Sequence, residues 1–310
     1  MESEVLDLLK RSAAIPSMPQ AAARFLEIVQ NPDFNYTEVV EVLSTDPGTA
    51  SEILRLANSS LFGVTRQVAS LAQALTLLGL RRVRSLVLGR YIVESLEDHK
   101  LPTIEAPYFW RRSLATAVLG AQLADALAPK LREEAFISGL LADVGIIILD
   151  EVVSERYRPV AEQYCPNGPP DLAQEELKLL AIHHGQASAM VLGHWQLPEL
   201  VCDAVHYHPW ELNHEQADML AKIVGSADRI GKYLCERPRD VDEVISACRQ
   251  VMDRLDLEPT ALARLLPQIE SQIEEFAELL HIDVIPSQVY QMIADALGNG
   301  LAEHSAAPVV

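Results

Sequence analysis

Apolar residues recur every three to four positions along nearly the whole chain, and strict apolar–polar alternation is hard to find. That period matches the 3.6-residue turn of a helix and not the two-residue pleat of a strand. Leu and Ala dominate, and aromatic residues make up only 5%. The sequence therefore predicts an all-α protein. With 310 residues, 49% of them hydrophobic, the chain can bury one large core or two smaller ones. A charged fraction of 22% excludes wholesale disorder.

Local signals place many of the helices. Asp46-Pro47 puts a capping acid before a proline at a first helical position. The stretch that follows turns Ile53, Leu54, Leu56 and Ala57 to one face. Asn58 is then suited to satisfy backbone groups at its end, and Gly63 to turn the chain. Val68, Leu71, Ala72 and Leu75 mark another helix, broken by Gly79. Further helices are expected over 109–127, from 172 to about 195, from 198 to about 207 and from 216 to about 234. The run GLLADVGIIIL (139–149) is apolar nearly all round and reads as one buried helix carrying a single acid, Asp143. Connectors are expected at 97–108, 165–171 and ERPRD (236–240), and the last dozen residues are expected to fray. In the C-terminal stretch, Ile273, Phe276, Ala277 and Leu280 form a stripe expected to pack on the protein itself, or else to meet a partner.

Net charge is −19, most of it after residue 100, which argues against a nucleic-acid partner. Arg81, Arg82, Arg84 and Arg90 form the one dense basic cluster. It reads either as a solvated helix face or as a seat for an anion, such as a nucleotide second messenger or an acidic protein surface. Cys165, Cys202, Cys235 and Cys248 contain no C-x-x-C pair and read as reduced thiols. There is no signal-peptide core and no long apolar span, so a cytoplasmic protein without membrane contact is expected. No P-loop or G-x-G-x-x-G motif is present, and no cofactor is expected.

The pieces IPSMPQAAARFLEIVQNP (15–32), STDPGTASEILRLANSSLFG (44–63) and VASLAQALTLLGLRRVRSLVL (68–88) follow in an order that resembles the HDOD domain, a bacterial signalling module related to HD phosphohydrolases. FWRRSLATA (109–117), GLLADVGIIIL, HHGQASAMVLGHWQLP (183–198), VCDAVHYHP (201–209) and VGSADRI (224–230) continue the resemblance to about residue 235. It implies an N-terminal helical subdomain (1–100) packed on a degenerate HD-like bundle (101–235), followed by an acidic helical extension (236–310).

The enzymes of that wider group gather His and Asp side chains from several helices around metal ions, which make a nucleophile of bound water. Carried onto this chain, the pattern is incomplete. The first His position holds Arg112, and the His of the His-Asp pair is Ala142. Asp143, His184, His208 and Asp228 are retained. Pro209 stands where a second consecutive His would be, and Ile146 where a lysine often follows. An Arg112–Asp143 ion pair is expected to replace the metal. The competing reading keeps one weakly held ion on the four retained residues. His183, His194, His206 and His214 are expected at the surface or in support. The resemblance implies a non-enzymatic signal-transduction module acting through a protein partner. The alternatives are a residual metal-dependent phosphohydrolase or phosphodiesterase on a nucleotide, and a cyclic-dinucleotide binder without hydrolysis.

Overall fold

The structure is a computed structural model that describes residues 2–12, 15, 20–31, 34–58, 67–97, 101–169, 171–235, 241–265 and 269–282. Among the described residues every regular element is helical. The chain divides into two compact units, one formed by Pro16–His99 with Leu279–His281, the other by Met1–Ile15, Lys100–Glu278 and Ile282–Val310. No helix among the described residues is long and apolar enough to cross a membrane. The turn expected at Gly63, the 236–240 connector and the expected frayed end lie outside the described residues.

The smaller unit contains α2 (Gln20–Gln30), α3 (Tyr36–Ser44), α4 (Pro47–Ala57), α5 (Leu71–Leu78) and α6 (Leu80–Glu97). Its helix starts are capped by side chains close in sequence, because the first N–H groups of a helix have no partner within it. Asn35 Oδ1 accepts from Thr37 N at 2.9 Å, and Ser70 Oγ accepts from Gln73 N at 3.3 Å. Asp46 accepts from Gly48 N at 3.0 Å and from the Thr49 hydroxyl at 2.6 Å, and also from the Tyr91 hydroxyl at 2.7 Å. Asn58 acts as the sequence suggests. Its amide nitrogen donates to the carbonyls of Leu54 and Val68, and its oxygen accepts from Val68 N at 2.7 Å. Beneath these caps Ile53, Leu56, Ala74, Leu75, Val83 and Val87 form the core.

The larger unit is built on α7 (Ala106–Leu127), which packs on α8 (Arg132–Leu141) and α14 (Met219–Leu234). Around them lie α9 (Val144–Val152), α10 (Ser154–Ala161), α11 (Ala173–Leu180), α12 (His184–His194) and α13 (Glu199–His206). The unit also takes in α1 (Glu2–Arg11), α15 (Val241–Leu255), α16 (Pro259–Leu265) and all but the last residue of α17 (Ile269–Leu279). The division near residue 100 falls where it is expected, but α1 and most of the stretch after 235 belong to the larger unit, and burial explains why. Val5 and Leu9 of α1 are fully buried, and α1 meets α9. Ile273 and Phe276 of α17 are buried, with the Phe276 ring 4.7 Å from that of Phe136. Glu270 pairs with the buried Arg111 at 2.7 Å. The apolar stripe of the C-terminal stretch therefore packs on its own chain.

Two expected helices are broken. GLLADVGIIIL is not one helix, because α8 stops at Leu141 and α9 starts at Val144. The segment from 172 to 195 is interrupted at Ala181, which takes a left-handed conformation (φ 62°) before α12 begins at His184. Both breaks lie beside chemistry-bearing residues, Asp143 at the first and His184 at the second. The four cysteines are free, and burial pushes the Cys248 thiol up to about 12.

Candidate functional site

Asp143 sits at the break between α8 and α9, but it does not cap α9. Ser188 of α12 serves both exposed ends of that break. Its hydroxyl donates to the Ala142 carbonyl at 2.7 Å and accepts from Gly145 N at 2.7 Å. The Asp143 carboxylate is thereby released from backbone duty and turned into the interior, where it is 3% exposed. Close backbone approach fixes the frame. A β-carbon on Gly145 would overlap the His184 carbonyl, and one on Gly225 of α14 would overlap the His208 carbonyl.

The retained residues all converge. Arg112 of α7 donates to both carboxylate oxygens of Asp228 on α14, Nε to Oδ1 at 3.0 Å and Nη2 to Oδ2 at 2.8 Å. Thr116 Oγ1 lies 3.4 Å from Asp228 Oδ1. Arg112 Nε is also 3.6 Å from Asp143 Oδ2, which accepts from the Tyr164 hydroxyl at 2.9 Å. The expected Arg112–Asp143 pair is therefore secondary. Arg112 is committed to Asp228 by a bidentate fork, which a planar guanidinium favours over a single long contact. Burial opposes ionisation of Asp143, yet the guanidinium holds its carboxyl well below the usual range.

The other side of Asp143 faces two imidazoles. Oδ1 is 3.6 Å from His184 Nε2 and 3.5 Å from His208 Nε2, and the two Nε2 atoms are 3.4 Å apart. Oδ1 is buried without a hydrogen-bond partner. The far nitrogen of each ring is engaged. His184 Nδ1 lies 2.7 Å from the fully buried Glu176, and His208 Nδ1 lies 2.6 Å from the Val205 carbonyl. Tyr157 donates to the second oxygen of Glu176. Burial opposes protonation of His184, but Glu176 and Asp143 outweigh it and push its pKa up to about 10.

Of the remaining histidines, His194 is exposed, while His206 and His214 are half-buried. His183 is 2% exposed and so is an interior residue. Burial and the neighbouring imidazoles push its pKa down to about 2. The arginine cluster lies in the smaller unit on α6. Arg81, Arg82 and Arg84 each have a partner. Arg90 turns toward Gly48 and lines a small, mainly apolar cavity with Thr49, Glu52 and Leu280.

Glu176, Tyr164, Ser188, Thr116 and the Val205 carbonyl escape sequence reading. Glu176 is one of two consecutive acids in an amphipathic helix, indistinguishable there from a surface residue. Only its spacing of eight from His184, across a helix break, brings them together.

The residues test poorly against the pair of ions that HD-type enzymes use. Asp228 is held by Arg112, and Ala142 offers a methyl group where a ligand is needed. They test well against a single ion, because Asp143, His184 and His208 present three ligand atoms within 4.8 Å of one another, one of them unpartnered.

These features define an all-helical, HD-like module in which a buried arginine stands at a ligand position. The chain belongs to the HDOD domain family, whose pattern matches residues 15–210. The fold is shared with a "Putative phosphohydrolase" of Shewanella amazonensis SB2B, at 24% identity and a TM-score of 0.69 over 87% of this chain and 99% of that one. It is shared too with an HDOD domain protein of unknown function from Geobacter sulfurreducens, at 22% identity and a TM-score of 0.68 over 89% and 98%. An uncharacterized protein of Treponema pallidum (strain Nichols) is 26% identical over 203 residues, 63% of this chain. The match spans only 38% of that protein's length.

Proposed function

We propose that the protein is a regulatory module of bacterial signal transduction that acts by binding a protein partner and not by hydrolysis. One observation carries this reading, the bidentate Arg112–Asp228 pair. A hydrolytic HD site needs its closing aspartate free to ligate, and here that carboxylate has both oxygens occupied by a fixed cation. Membership of the HDOD family supports the signalling context. The Shewanella relative motivates the opposing reading, a phosphohydrolase, and the test is directed at it.

The purified protein is incubated with a chromogenic phosphodiester and with linear and cyclic nucleotides, each with Mg, Mn, Fe(II) or Zn. The expected result is no product above the buffer rate. Turnover that disappears in Asp143→Asn would overturn the proposal. On the binding side, residue-resolved crosslinking in the native host is expected to give one reproducible partner protein on a defined face. Crosslinks scattered over the whole surface would count against it.

A further inference from the structure

The three ligand atoms of Asp143, His184 and His208 form a nearly equilateral triangle with edges of 3.4, 3.5 and 3.6 Å. A tetrahedral ion bound at about 2.0–2.1 Å to nitrogen and oxygen separates its ligands by about 3.3–3.5 Å. The edges are too long for good hydrogen bonds between the groups themselves. The lone pairs are also disposed for a cation. Glu176 and the Val205 carbonyl accept the proton on each Nδ1, so each ring, once neutral, turns an Nε2 lone pair inward. Asp143 Oδ1 is the third acceptor, and it is buried without a donor. Without an ion, a proton on His184 is the positive charge available to this triangle, and edges of 3.4–3.6 Å leave it poorly bonded there.

The surroundings are those of a metal site. A carboxylate behind one imidazole and a backbone carbonyl behind the other are the usual means of orienting histidine ligands. Tyr164 steadies the other oxygen of Asp143. Charge points the same way. Asp143, Glu176 and Asp228 are buried acids, and Arg112 answers one of them. With both imidazoles neutral, as ligands must be, two negative charges are left over, which match one divalent ion. Two imidazoles and one carboxylate suit Zn, Fe(II), Mn or Ni better than Mg or Ca.

We infer that this chain holds a single divalent transition-metal ion on Asp143, His184 and His208, with the Arg112–Asp228 pair standing where HD-type enzymes place the rest of a two-ion centre. The ion ties the α8–α9 break to the start of α12 and to the segment after α13, as a structural and regulatory ligand. This site is the one on which the regulatory reading rests, but the two stand on different observations. Absence of the ion leaves the regulatory reading intact, and phosphoester turnover by a one-ion protein would sink that reading while leaving the ion in place.

The test uses the full chain without a polyhistidine tag, purified without chelator. Elemental analysis is expected to find about one Zn, Fe, Mn or Ni per chain. After chelation, Zn²⁺ is expected to rebind with a stoichiometry of about one and to raise the melting temperature, and Co²⁺ to give visible bands without a thiolate charge-transfer feature. His184→Asn and His208→Asn are expected to abolish rebinding. Glu176→Gln, which leaves the ligands in place, should weaken it about 10–100-fold. His194→Asn, at an exposed site, should leave it unchanged. If a ligand variant does not fold, the wild-type stoichiometry, the Co²⁺ spectrum and Glu176→Gln still decide. Wild type that takes up no Zn²⁺ or Co²⁺ would identify the occupant as a proton on His184 and overturn the inference. Affinity unaltered in His184→Asn, or two ions per chain, would do the same.

Discussion

The two units use their polar side chains in opposite ways. In the smaller unit, Asp46, Asn58 and Ser70 are tied to helix ends within about ten residues of themselves, and Asp46 adds one longer bond to Tyr91. In the larger unit, Arg112, Asp143, Glu176, His184, His208 and Asp228 come from positions up to 116 residues apart, and of these Glu176 and His208 also serve a helix end, at the start of α12 and the end of α13. The first arrangement completes secondary structure. The second concentrates charge at one buried point, beyond what the helix ends there require. Polar groups of that second kind raise the energy of the fold unless each finds a partner or a ligand completes the set.

The contrast can be broken most severely at Arg112. Arg112→Met removes one partner of a buried pair and strands Asp228. It is expected to cost about 3–5 kcal/mol in denaturant unfolding of the larger unit. Adding Asp228→Leu should recover a large part of that loss, since a buried ion pair can often be exchanged for apolar residues. Failure of the double variant to recover would show that the pair does more than balance charge.

Ser188→Ala comes next. It strips both bonds from the α8–α9 break and should cost about 1–3 kcal/mol. Faster amide exchange is expected around Gly145 and not in α4 or α5. Asn58→Ala sharpens the other side of the comparison. It should cost about 1–2 kcal/mol, with exchange rising at the end of α4 and the region of Val68 only.

The smallest effect is the acid response of Asp46. Burial pushes its carboxyl up, but hydrogen bonds from Thr49 and Tyr91 outweigh that and leave it lowered. A lowered carboxyl contributes stability above its unfolded value of about 3.9, and that contribution is lost as pH falls through the folded value. The difference in urea stability between wild type and Asp46→Ala, about 1 kcal/mol at neutral pH, should therefore shrink as pH drops below about 4. A constant difference down to pH 2 would show that Asp46 acts through packing alone.

The same division explains what could be read from the chain. Caps and apolar faces are written within a few residues, so the helical class, the role of Asn58 and the start of α4 are legible. The retained site residues are legible too, because the resemblance aligns them, and all of them meet in space. The break at Ala142–Asp143 is not. Its stabilising group, Ser188, lies 46 residues downstream in an unremarkable helical run. Sequence pairs Arg112 with Asp143, and that contact exists at 3.6 Å, but the closer, forked pairing with Asp228 is not legible for a similar reason. Sequence gives two carboxylates, and only the orientation of α14 decides which one meets the guanidinium fork.

Gly145 and Gly225 set backbone directly against backbone at His184 and His208. The spacing of the three segments is thus decided before any side chain in the pocket is chosen. Chemistry here is an interchangeable insert in a pre-cast mount. Installing histidine at 112 and 142 in place of arginine and alanine would ask for a new lining and not for a new architecture.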